Sequence, residues 1–301
     1  MIFISCYNNR RDDGGVYYLK NDSLIPIFEG INCHGLFYDK QNEMLFCATR
    51  TELQIHCFKI LHDNTIKKIP VSFEKYVFGN DAHGVLVQNN KILLVATNGD
   101  PDSEFAINDD GVDDKVGKII ISDLEMGDSN IKIRHSKIIN PFNCSHHHHI
   151  NDICSDGARL FLSSFSHCDA DYNYKKKGSI SVFNLHQKAN VLIDGFEDPH
   201  SLCYFKNKLY LTSSSNSSVF SVDPKTKEKK LEYKGPEVYV KGLLVTDSHF
   251  YIGLNYSLER TGTTFTNKTT GLLMYNRTSG ETKRMSLPPQ ANNVYSIVST
   301  E

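Results

Sequence analysis

Amphipathic helical periodicity is nearly missing from this chain of 301 residues, and so are the short motifs that announce common enzyme chemistries. There is no Walker loop, no G-x-G-x-x-G turn, no G-x-S-x-G elbow and no H-E-x-x-H pair. Their absence removes the usual phosphate cradles, the dinucleotide fold, the serine-hydrolase elbow and the helical zinc protease. The eight cysteines (6, 33, 47, 57, 144, 154, 168 and 203) form no C-x-x-C pair and no compact framework. Several sit in apolar runs such as "MLFCA", so buried, reduced thiols are expected, as in a cytoplasmic protein. Charge of one sign is also scarce. The net charge is -2 and the longest basic run is Lys175-Lys176-Lys177, which argues against nucleic acid or a membrane as partner. The opening "MIFISCYNNRRDDGG" has only a short apolar stretch with charge close behind, so neither a signal peptide nor an anchor is expected.

What the chain does have is many short runs of Val, Ile, Leu, Phe and Tyr, bounded by turn signals such as "QNNK", "SDGAR" and "FKNK". That pattern predicts an all-β fold. The runs also repeat. "CHGLFYDKQNEMLFCAT", "AHGVLVQNNKILLVAT", "HHINDICSDGARLFLSS", "PHSLCYFKNKLYLTSS" and "VKGLLVTDSHFYIGLN" each place a polar residue before an aliphatic strand, a tight turn and a second strand. The leading residues are His34, His83, His148, His200 and Lys241, and a truncated sixth copy, "VYSIVSTE", leads with Tyr295. They stand roughly 40 to 65 residues apart, enough for a four-stranded blade plus loops.

A six-bladed β-propeller follows, as one domain over residues 1–301. "MIFISCYN" resembles the second strands of the other copies, and "GGVYYLK" with "LIPIFEG" supplies two more. The last blade should therefore pair an inner strand from the C-terminus with three strands from the N-terminus, which leaves no open circular edge.

Two stretches are specific enough to resemble a known family. His148-His149-Ile150-Asn151-Asp152-Ile153 and Pro199-His200-Ser201-Leu202 resemble the H-x-L-N-D-L and P-H-S-P motifs of bacterial six-bladed propeller proteins of unassigned function. The chain departs from that family at Leu202, at Lys241 (where the family tends to have arginine) and in lacking tryptophan. The resemblance implies the fold and, since the family has no settled activity, no particular reaction.

The residue entering each inner strand faces the mouth of a propeller channel. The repeat would therefore bring His34, His83, His148 and His200 around one axis, with Lys241 and Tyr295 completing the ring. Four neutral imidazoles suit a transition metal such as iron, copper, manganese or zinc. Glu29, Asp81, Glu197 and Glu237 are candidates to hold the second ring nitrogens. Lys241 and Tyr295 are the candidate catalytic residues, for proton transfer or anion binding beside the metal. Within the run His146 to His149, the repeat register favours His148, with His149 or His146 as alternatives.

Long loops at 98 to 116, 165 to 177 and 256 to 270 should rim the same face. They carry Asp102, Glu104, His167, Asp169, Tyr172, Tyr174, Glu259 and Arg260, a lining suited to a polar small molecule. "NDDGVDD" lacks the ligand spacing of an EF-hand and reads as a solvated acidic loop. The first expectation is a metal-dependent enzyme acting on a small polar substrate, with redox or oxygenase chemistry before elimination or hydrolysis. The alternatives are a metal-assisted lyase or hydrolase, or a non-catalytic propeller that binds a protein or glycan.

Overall fold

Asn-Asn, Lys-Asn and Asn-Asp pairs between apolar runs become two-residue hairpin turns. Asn89 and Asn90 have φ of 53° and 56°, Lys206 and Asn207 46° and 64°, and Asn21 and Asp22 48° and 62°. Two successive left-handed residues match the twist of the strands they join. The computed structural model describes residues 1–8, 13–50, 54–73, 82–96, 117–127, 129–142, 149–165, 178–185, 187–235, 238–255 and 270–301.

These strands assemble into six sheets arranged as the blades of a β-propeller. The inner strands of blades one to five are Cys33–Asp39, Ala82–Gln88, His149–Ser155, Pro199–Phe205 and Tyr239–Val245, each followed by three antiparallel neighbours. Blade six takes its inner strand, Asn293–Ser299, from the C-terminal end. Its other three strands are Ile2–Asn8, Asp13–Lys20 and Ser23–Glu29. The closing pairing runs antiparallel from Ile2 opposite Ser299 to Tyr7 opposite Asn293. Among the described residues, blade two alone gains a fifth strand that the repeat did not announce. Val71–Phe73 lies parallel to Ile131–Ile139 and covers that blade's outer edge.

The second strands read as unbroken apolar runs because each of their faces packs on a different neighbour. In Met44–Thr49, Leu45 and Cys47 join the cluster shared with blade six, while Phe46 and Ala48 join the one shared with blade two. Six such clusters occupy the six seams between blades. The described cysteines are free thiols, and five of the six are buried in these packed sheets.

Every inner strand shifts register near its start, between Cys33 and Leu36, Ala82 and Val85, Ile150 and Asp152, His200 and Cys203, Val240 and Leu243, and Val294 and Ser296. A bulge turns one side chain out of the pleat and leaves a backbone N–H without its ladder partner. Neighbouring blades supply the acceptors. Asp152 Oδ2 accepts from the Leu202 N–H at 3.0 Å, and Ser201 Oγ accepts from the Gly242 N–H at 2.6 Å. The inner strands approach closely here, since a Cβ on Gly35 would lie 2.7 Å from the His83 carbonyl oxygen. These contacts place Gly35, Gly84, Asp152, Ser201, Gly242 and Ser296 at equivalent positions around the axis.

Candidate functional site

One residue before each of these bulge positions stand His34, His83, Asn151, His200, Lys241 and Tyr295. The expected ring is therefore present in five of its six blades, and in blade three the register is corrected. His34 Nδ1 meets the Ala82 carbonyl oxygen at 3.2 Å, and Asn151 Nδ2 makes the matching bond to the Pro199 oxygen at 2.7 Å. Asn151 is thus the counterpart of the other histidines. Blade three carries the same bulge as the others, so Asn151 stands where they have His34, His83 and His200, and the four-histidine run ends two residues too early. His146, His147 and His148 lie outside the described residues. His149 begins the strand, stacks on Phe165 with ring centroids 4.6 Å apart, and stands edge-on to His83 at 4.8 Å.

Tyr295 occupies the centre of one side. Its ring stacks on His34 at 4.0 Å with an interplanar angle of 13°. The hydroxyl is hydrogen-bonded to His83 Nδ1, and the Lys241 ammonium stands 3.8 Å from the ring centroid. Tyr7, from the second strand of blade six, meets both His34 and Tyr295 edge-on. All of these residues except His149 are buried. A cation over a phenol face inside a desolvated pocket is a strong contact, and it holds the ammonium beside the hydroxyl-bearing ring.

His200 lies in a different setting. Its Nδ1 faces the Asp198 carbonyl oxygen at 3.1 Å, Ser214 Oγ at 3.0 Å and Asp198 Oδ1 at 3.4 Å. Burial pushes His200 well below the usual histidine range, and the Lys241 charge adds to this, as do His149 and His83; the Asp198 carbonyl opposes it. Burial lifts the Asp198 carboxyl to about 6, against the pull of Tyr239 and Lys241. Asp152 is lifted by burial to about 7, opposed by the Ile153 and Leu202 amides and by Lys241. Tyr239, whose hydroxyl donates to Asp198 Oδ2, is raised well above its ordinary value by burial and by that carboxylate.

The acids expected to support the histidines do not do so among the described residues. Glu29 accepts from Tyr17 at 3.1 Å and from Gln290, and the Glu197 backbone is tied to Ser213. Asp81 and Glu237 lie outside the described residues, as do Asp102, Glu104, His167, Asp169, Tyr172, Tyr174, Glu259 and Arg260. The acid that reaches His200 is Asp198, one residue beyond Glu197. A signal for it existed: the residues two places before the ring are Asn32, Asp81, His149, Asp198, Tyr239 and Asn293, all of them polar or tyrosine.

The fit to a metal is partial. Carbonyl oxygens accept only, so Nδ1 carries the proton on His34 and His200, which leaves their Nε2 atoms as donors of a lone pair. His83, however, commits Nδ1 to Tyr295, whose ring packs against both His34 and His83. Among the described residues no three His, Cys, Asp or Glu side chains converge to hold a metal ion. What the arrangement offers directly is a phenol and an imidazole in contact, an ammonium beside them, and a second imidazole of fixed tautomer.

No protein-family profile and no curated protein sequence matches the chain. Solved structures do. A chain of a nidogen/laminin complex superimposes with a TM-score of 0.63 at 10% identity, over 98% of this chain and 97% of that one. The periplasmic gluconolactonase of Pseudomonas aeruginosa gives 0.55 at 9% identity, over 100% and 99%. The calcium-binding protein regucalcin from Agrobacterium tumefaciens gives 0.52 at 12% identity, over 86% and 75%. At these identities the likeness is one of fold.

Proposed function

We propose that this propeller is a hydrolase of small polar substrates that carry an anionic or strongly polarised oxygen. The observation that carries the reading is the contact of Tyr295 with His83 through its hydroxyl and with Lys241 through its ring. Lys241 attracts a negatively charged or electron-rich oxygen into a pocket where water competes weakly. The Tyr295 hydroxyl, held by His83, then donates a hydrogen bond to the carbonyl oxygen on which charge collects. None of these steps requires an electron acceptor, so hydrolysis stands ahead of the redox chemistry expected first from the sequence.

The gluconolactonase neighbour suggests which substrates to assay first, namely sugar lactones. The calcium of the regucalcin neighbour does not suit the imidazoles of this site, because calcium takes oxygen ligands.

The test is hydrolysis of a panel of sugar lactones by tag-free protein, followed by pH-stat, with elemental analysis of the same sample. Turnover well above the buffer rate that Lys241→Met abolishes is the expected result. A folded protein that opens no lactone refutes the reading and favours a non-catalytic binding module. Stoichiometric iron, copper, manganese or zinc whose removal abolishes turnover would return the site to metal-dependent chemistry.

A further inference from the structure

We infer that Asp198 is a positioning residue that makes His200 the water-activating base of this site. The inference rests on the hydrolase reading above. It adds the half of the site that neither Lys241 nor Tyr295 explains.

Asp198 has φ of 50°, a left-handed conformation unusual for a residue with a side chain, and is only 3% exposed. That conformation turns both its carbonyl and its carboxylate to one imidazole. The backbone oxygen lies 3.1 Å from His200 Nδ1 and carboxylate Oδ1 lies 3.4 Å from the same nitrogen. Ser214 Oγ adds a third oxygen at 3.0 Å. The backbone carbonyl accepts from Nδ1, so that nitrogen carries the proton and the ring is held with its lone pair at Nε2, while Oδ1 makes no hydrogen bond of its own and favours the Nδ1 proton through its charge.

The carboxylate is itself held from the next blade. Tyr239 donates its hydroxyl to Asp198 Oδ2, and its ring stands edge-on to His200 at 6.0 Å. One phenol therefore fixes the acid and walls the imidazole it orients.

In the reaction, a water proton passes to His200 Nε2 as the water oxygen bonds to the substrate's carbonyl carbon. The acyl–oxygen bond then breaks and the same proton passes to the leaving oxygen. Tyr295 meanwhile donates to the carbonyl oxygen on which charge collects. One water is consumed for each bond cleaved, and nothing is oxidised or reduced.

The experiment uses the full chain with Asp198→Asn and with Tyr239→Phe, which removes a single hydroxyl. It reads kcat and KM on whichever lactone the wild type opens, together with the imidazole nitrogen NMR signals that report tautomer. Asp198→Asn should lower kcat on the order of 100-fold, with KM within about twofold and part of His200 shifted to the Nε2–H tautomer. Tyr239→Phe should change both readouts in the same direction by less. If the wild type turns over while Asp198→Asn leaves kcat or the tautomer unchanged, Asp198 only packs and this inference falls alone. A rise in KM equal to the loss in kcat/KM also overturns it, because that would mean lost substrate binding. A wild type that opens no lactone overturns the hydrolase reading itself, and the base with it.

Discussion

Replacing Tyr295 with phenylalanine separates what its hydroxyl does from what its ring does. The ring keeps its stack on His34 at 4.0 Å and its place 3.8 Å from the Lys241 ammonium. The bond to His83 Nδ1 disappears. Losing one buried hydrogen bond of this kind costs about 1–3 kcal/mol. For a chain of this size that corresponds to a fall in Tm of roughly 2–5 °C. The effect on turnover should be far larger. A proton donor placed on the oxygen that gains charge contributes on the order of 100- to 10,000-fold. Steady-state kinetics on a sugar lactone beside a thermal melt gives both numbers from one preparation. Tyr295→Leu provides the contrast, since it also removes the stack and should melt lower still with no further loss of rate. A Tyr295→Phe protein that melts several degrees lower yet turns over at the wild-type rate would make the tyrosine a packing residue. The hydrogen-bond-donor reading would then be refuted.

Removing residues 292–301 takes away the inner strand of blade six, including the buried side chains of Val294, Tyr295 and Ile297. At about 1.5–3 kcal/mol for each such side chain, the loss is comparable with the whole stability of a typical domain. The truncated protein should be insoluble or unfolded, and a soluble product that melts like the full chain would contradict the closure. His56 is buried against Phe28 with ring centroids 4.5 Å apart, and burial followed by the Lys68 charge lowers its pKa to about 4. The unfolded chain takes up a proton there near 6.5, so this stabilisation is complete above pH 6.5 and is lost as pH falls towards 4, about 3 kcal/mol in all. Urea unfolding at pH 7 and pH 5 should show His56→Gln losing less stability on acidification than the wild type; an identical loss would mean that His56 is not held neutral.

Much of the architecture was already legible in the linear chain, because strand composition, hairpin signals and repetition are local properties. "QNNK" and "FKNK" specify left-handed pairs wherever they occur, and the truncated copy at Tyr295 announced that "MIFISCYN" must close the ring. The repeat likewise brought His34, His83, His200, Lys241 and Tyr295 to one axis, although nothing in their immediate surroundings groups them. What the repeat could not supply was the pairing register of blade three. One chain position in blade three separates Asn151 from the histidine run, and aligned letters do not reveal which residue leaves the pleat. Partnership was equally out of reach. Whether Glu197 or Asp198 meets His200 depends on a single left-handed φ, and whether Tyr295 bonds to His83 depends on how closely the inner strands approach around the axis. Strand identity follows from side-chain pattern, whereas contact between side chains on different blades exists only once all six seams have packed.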